Sequence, residues 1–270
     1  MKQTKPKAES ICLSPAQQDY LDQCIRRKRL IRAWQWSLLL LFLFLWDIGA
    51  QLGWINSFVF CSPTGVIRTI LEMSKSGMLW YHTGITLLET FISFFLILLF
   101  GIVCSVLLWW NETLSKILEP YLVVLNSLPK SALAPVFIVW LGANQKTIIV
   151  AAVSVAVFGA ILTLYHSFSE TEEEKIRLIY TLGGTKKDVL QRIVLPASIP
   201  TLFSLMKVNL GLSLVGVIIG EFLAARAGLG YLVIYGSQVF RLDLVITSIV
   251  LLCLLSALLY QIISRLERRL

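Results

Sequence analysis

Long apolar runs alternate with short polar stretches along the chain. Three windows hold no Asp, Glu, Lys or Arg at all: Thr90 to Trp110, Thr147 to Ser169 and Leu244 to Ser264. Each is about as long as the roughly 20 residues a helix needs to cross the hydrocarbon core of a bilayer. Three more are apolar with one ionisable interruption each: Ala33 to Ile55 around Asp47, Tyr121 to Gly142 around Lys130, and Ser198 to Gly220 around Lys207. An open strand would leave backbone N–H and C=O groups unpaired in lipid, so all six windows are predicted helices. The pattern therefore predicts an all-α, polytopic membrane protein of about six transmembrane helices. Residues 33–270 form its membrane domain, and residues 1–32 form a basic N-terminal segment.

Smaller elements punctuate the spans. Ser62-Pro63-Thr64 reads as a helix start with Ser62 or Thr64 able to cap, and Val66, Ile67, Ile70 and Leu71 are expected to form one apolar face of a short surface helix. Pro129 and Pro135 are expected to break the third span, "NSLPKSALAPVFIVWLG". Lipid tolerates such breaks only where neighbouring protein or water satisfies the freed carbonyls, so this span is expected to face other helices. The loop 170–196 divides at Gly183-Gly184. Before the glycines, Ile176, Ile179 and Tyr180 recur at helical spacing; after them, Val189, Leu190, Ile193 and Val194 do so. Two short amphipathic helices joined at a glycine turn are predicted, the second ending at Leu195-Pro196, with their greasy face available for docking or for lying on lipid.

Composition strengthens the membrane reading. The chain is 57% hydrophobic and 15% charged, against roughly half and a quarter in soluble domains. Its net charge of +8 does not indicate nucleic acid, because in a membrane chain the placement of Lys and Arg sets topology. The tail with Arg26, Arg27, Lys28 and Arg29, the loop with Lys175, Arg177, Lys186, Lys187 and Arg192, and the end with Arg265, Arg268 and Arg269 share one side. The other side holds Arg68, Lys75, Lys146, Arg226 and Arg241. Both termini and the loop are thus expected in the cytoplasm, with no cleavable signal peptide. Cysteines 12, 24, 61, 104 and 253 form no CxxC pair, and His82 and His166 lie far apart, so neither a disulfide framework nor a metal site is expected. No GxxxxGK[ST] loop is present, so ATP-derived work would have to come from a partner.

Gly183, nine residues, Ile193, one residue, then Leu195-Pro196 resembles the "EAA" loop signature of membrane subunits of bacterial ABC importers. With "LPKSALAPVFIVWLG" before it and "GEFLAARAGLGYLVIYGS" after it, the chain resembles permeases of the nitrate/sulfonate/taurine family from about residue 33 onward. The resemblance implies a type I ABC importer permease fold and no catalytic activity or cofactor. It also implies a cytosolic ABC ATPase partner, an extracytoplasmic substrate-binding protein and a homodimer. Leu178 to Lys187 would be the coupling helix seated in the ATPase, with Arg177, Leu178, Ile179, Leu182, Gly183, Gly184, Thr185, Lys186, Ile193, Leu195 and Pro196 as the coupling set. Arg177 stands where the family has glutamate, and Leu178-Ile179 where it has two alanines. The glutamate's polar contact is then reversed in sign or supplied by Glu173 or Glu174.

Ionisable and polar groups at membrane depth are candidates for a translocation path: Lys130, Lys207 and Asn209, with Glu221 either an external gate or an interface anchor. For Lys207 the competing reading is a stem that snorkels to the headgroups. Asp47 and Glu89 are expected at helix ends or packed against a partner. A secondary transporter or channel stays open as an alternative. It would be marked by inverted repeats or several midplane charges, which are not evident in the sequence.

Overall fold

Polar residues inside an apolar run do not stop a helix when another element satisfies them, and this rule shapes most of the architecture. The computed structural model describes residues 15–51 and 61–267. The end of the first predicted span, residues 1–14 and the last arginines lie outside the described residues. These fall into two units divided between Thr64 and Gly65, each taken by itself.

Among its described residues, the first unit contains one complete helix, α1 (Pro15–Gln51). Arg26, Arg27 and Arg29 are exposed near its start, and the apolar Leu38, Leu41, Phe42, Phe44 and Leu45 are exposed further on. That is the surface a lipid-facing span presents. Asp47 accepts from the Thr64 hydroxyl at 3.0 Å and the Thr64 N–H at 3.5 Å.

The second unit begins within α2 (Pro63–Lys75), whose buried residues are Val66, Thr69 and Met73. The short helix expected here is present, and its apolar positions divide: Val66 is buried and Ile70 half-buried, while Ile67 and Leu71 are exposed, because the inward stripe runs through positions 66, 69 and 73. Next come α3 (Met78–Trp110), α4 (Glu112–Ser127), α5 (Lys130–Leu141), α6 (Gln145–Ser169), α10 (Ile199–Ala224), α11 (Leu229–Gln238) and α12 (Leu242–Glu267), with the short helices α7 (Glu173–Thr181), α8 (Lys186–Val189) and α9 (Leu195–Ala197) between α6 and α10. Among the described residues, α3, α6, α10 and α12 are long and apolar enough to cross a membrane, and α4 with α5, bent by 95° at the break, is so only as a pair, either a broken span or a re-entrant loop.

The core is α6 packed between α3 and α10. Water is already absent in lipid, so close backbone approach rather than hydrophobic burial holds such helices together. Small residues supply it. Ala152, Ala156 and Ala160 recur every fourth residue along α6 and are almost wholly buried. Gly216 of α10 lies so close that a Cβ there would sit 2.6 Å from Ala152 Cα. Across the other face, the Ser105 hydroxyl of α3 donates to the Ile161 carbonyl at 2.8 Å.

The break between α4 and α5 falls at Leu128-Pro129 alone. Pro135 lies inside α5 without ending it, since an internal proline removes one hydrogen bond and a tertiary setting can absorb that loss. The Lys130 ammonium donates to the Asn126 carbonyl, one of those the break leaves free. Only Ala134 of α5 is buried, while Val139 is 83% and Trp140 74% exposed. One side of α5 thus packs on α6 and α10 as expected, with Ile138 against the cluster of Ile148, Ala152 and Val217, while Val139 and Trp140 point away from this chain.

Candidate functional site

Residues 170–198 form a knuckle built by local capping. Glu173 and Glu174 place negative charge in the first turn of α7, where the helix dipole favours it. At the other end, Gly184 N–H donates to the Ile179 carbonyl at 2.9 Å and Gly183 N–H to the Tyr180 carbonyl at 3.0 Å, a Schellman turn. It requires a left-handed residue, and Gly183 supplies φ +80°. Thr185 then caps α8 reciprocally with Asp188: the Thr185 N–H donates to Asp188 Oδ2 at 2.8 Å and the Asp188 N–H to Thr185 Oγ1 at 3.4 Å. These hydrogen bonds, from the Thr185 hydroxyl first and its N–H second, hold the Asp188 carboxyl below the ordinary carboxylate range.

Pro196 does not end the second helix. A π-helical turn, Leu190–Val194, precedes it, in which Leu195 N–H donates back to the Leu190 carbonyl, five residues away. The wider turn accommodates a residue that has no N–H and crowds the carbonyl four residues before it. Helical backbone therefore runs from Lys186 to Ala197 and, after Ser198, into α10.

The knuckle's greasy face is not free. Val189, Leu190 and Val194 are buried in a cluster with Ile97, Ala156, Ala160, Leu164, Phe168 and Leu205, and Ile176, Ile179 and Leu195 pack at its margin. Ile193 is half-buried and Pro196 exposed. The outward surface is instead Arg177, Leu178, Tyr180, Leu182 and Lys187, with Leu178 57% and Leu182 74% exposed. Arg177 pairs with Glu173 one turn back at 2.9 Å. Lys186 is the exception to the outward set: its ammonium donates to the Trp110 carbonyl at 2.7 Å.

The candidate path residues separate. Lys207 is ion-paired with Glu267 of α12, and Lys130 is held by the Asn126 carbonyl. Asn209 is buried, with its Nδ2 lacking a partner among the described residues. It lines a cavity of about 210 Å³ between α4, α6 and α10 together with Asn126, Thr163, Thr201 and Ser204. No charged side chain lines that cavity.

Glu221 is the centre of a buried polar cluster. Oε1 accepts from the Thr86 hydroxyl at 2.7 Å, and Oε2 from Gly230 N–H at 2.5 Å. Thr86 Oγ1 accepts from Leu229 N–H at 2.8 Å, and His82 Nδ1 from Gly228 N–H at 3.0 Å. Three successive N–H groups opening α11 are thus satisfied by buried side chains of α3 and α10. Glu89 is wholly buried beside Glu221, in the middle of α3 rather than at its end, where the two carboxyls are close enough to pair through a shared proton. Sequence reasoning missed Thr86 and the role of His82. The signal was there, since 82, 86 and 89 recur at i, i+4, i+7, a polar stripe along one face of α3.

Residues 97–270 match the family described as binding-protein-dependent transport system inner membrane component. The chain belongs to this family. It is 29% identical to an ABC transporter permease protein of Haemophilus influenzae over 218 residues, 81% of this chain and 88% of that protein. It is also 29% identical to the formylaminopyrimidine transport permease protein ThiX of Halalkalibacterium halodurans, over 71% of this chain and 76% of that one. The taurine transport system permease protein TauC of Escherichia coli is 24% identical over 88% of this chain and 92% of its own length. Among solved structures, an inward-facing form of the MetNI methionine ABC transporter superposes with a TM-score of 0.63 at 20% identity, covering 72% of this chain and 97% of that one. The fold is that of type I ABC importer permeases, and the chain is a membrane-spanning transport component for small solutes. Among the described residues no group of His, Cys, Asp and Glu is placed to hold a metal ion.

Proposed function

We propose that this permease imports a small polar solute and is driven by a separate cytosolic ABC ATPase that seats the outward residues between Leu178 and Lys187, Lys186 excepted. The observation that carries this reading is the knuckle itself. Its backbone is capped at both ends of the turn, its inner face is fixed in the core, and Leu178 and Leu182 project from it. Exposed leucines on a rigid, charged-rimmed element are what a partner groove would cover. Closure of two ATPases would move the knuckle as a rigid body, and α10, continuous with it, would rock with respect to α3 and α6. Arg177, with Glu173 beside it, would meet an acid of the ATPase.

The cavity around Asn209 would be part of the solute path. Its neutral hydrogen-bonding lining suits a polar solute and provides no charge for an ion-driven carrier. The relatives named for formylaminopyrimidine and taurine fit a solute of that size, presented by an extracytoplasmic binding protein. A second copy of the chain would cover Val139 and Trp140 of α5, and both termini would lie in the cytoplasm. Gly183→Pro tests the reading in cells carrying the whole importer. Membrane insertion should persist while uptake and ATPase retention in mild detergent are lost. Normal uptake in that variant would remove the knuckle from the mechanism.

A further inference from the structure

The knuckle meets the membrane helices at a point other than its two covalent ends. Lys186, the first residue of α8, reaches across 76 positions of sequence to donate to the Trp110 carbonyl at 2.7 Å. Its ammonium also lies 5.4 Å from the Trp109 ring centre and 5.6 Å from that of Trp110. Trp110 is the last residue of α3, so its carbonyl is one of those the helix leaves without a partner, and the negative end of the helix dipole faces the cation. Two indoles attract the same charge. Lys187, the exposed neighbour, makes no such contact among the described residues.

An exposed lysine is ordinarily solvated, but here a helix-end carbonyl and two aromatic rings converge on one ammonium. Asn111 follows Trp110 at once and caps α4, accepting from Leu114 N–H at 3.1 Å. A hold on Trp110 is therefore a hold on the corner where α4 begins, and α4 carries Asn126 into the cavity that Asn209 lines.

We propose that Lys186 is a positioning residue that makes the α3–α4 corner move with the knuckle, so that displacement at Leu178 to Leu182 reaches α4 directly and not only through α10. The inference rests on the ATPase-docking reading above. The test uses the permease bound to its ATPase, with native cysteines replaced by serine and nitroxide labels at Ile117→Cys on α4 and Gln191→Cys on the knuckle. Singly labelled chains supply the distances between copies. The intramolecular distance is measured by pulsed electron resonance with and without a non-hydrolysable ATP analogue.

With Lys186 in place, and in Lys186→Arg, the distance distribution should be the same in both conditions. In Lys186→Met, which keeps the stem and removes the charge, it should shift and broaden with nucleotide while the ATPase stays bound. A Lys186→Met protein that behaves like the parent overturns the proposal. So does a parent whose distance shifts as far as the variant's. Loss of the ATPase in Lys186→Met alone would make Lys186 a partner contact instead, and also overturns it. A parent that retains no ATPase defeats the docking reading, and this inference with it.

Discussion

Removing the Glu221 side chain is expected to loosen the attachment of α11 to α3 and α10 more than any other single truncation among the buried polar residues. Glu221→Ala deletes the acceptor of two hydrogen bonds, from the Thr86 hydroxyl and from Gly230 N–H. A buried donor left without a partner costs about 1–3 kcal/mol, so two cost roughly 2–6 kcal/mol. Thr86 still accepts from Leu229 N–H and its hydroxyl proton is free to turn, which points to the lower half of that range, about 2–4 kcal/mol. Glu221→Gln keeps one acceptor for Gly230 and offers an NH₂ that the Thr86 oxygen can accept, so it should lose less than half as much. The assay is the heating midpoint at which purified, detergent-solubilised protein ceases to elute as one species. Glu221→Ala should fall by several degrees and Glu221→Gln by clearly less. Equal midpoints for Ala and parent, or a Gln variant less stable than Ala, would refute the view that this carboxyl holds the start of α11.

Two further outcomes follow from single contacts. Gly216→Ala places a methyl 2.6 Å from the Ala152 backbone; the two helices must separate, and the same heating assay should show a loss corresponding to about 1–3 kcal/mol, whereas no change would mean that α6 and α10 are not in close backbone contact. Asp188 has its carboxyl held below the ordinary range by Thr185, so the stabilisation it gives the turn is present above the unfolded value and lost as pH falls through the folded one. Amide protection at the start of α8, corrected for intrinsic exchange, should stay level from neutral pH down to about pH 4 and fall only below it, and a loss near pH 6 would contradict the capping geometry.

What the sequence made legible followed from what a one-dimensional pattern can carry. Thr90 to Trp110 and Thr147 to Ser169 fall within α3 and α6, because an uninterrupted apolar run admits only one solution in lipid. The same criterion cut α3 short: the helix starts at Met78, and Glu89 alone interrupted the charge-free run, although it lies buried beside Glu221 of α10, more than 130 positions away. The turn at Gly183-Gly184 was visible because it depends on backbone conformation alone. Which face of the hairpin stayed free was not, since periodicity finds an apolar stripe without saying what covers it: Val189 and Val194 face the core, and the outward leucines are Leu178 and Leu182. For the same reason the cations read as path candidates could not be separated from Asn209 until Glu267 and the Asn126 carbonyl were placed beside them.

The central claim is that the outward leucines of the knuckle sit in an ATPase groove, and a photo-crosslinker at position 182 tests it most directly. In intact cells carrying the complete importer, irradiation of a benzoylphenylalanine at that position should give one predominant adduct, whose added mass is that of the ATPase subunit. An adduct with lipid, or with the extracytoplasmic partner, or no ATPase adduct at all while uptake remains normal, would contradict the account.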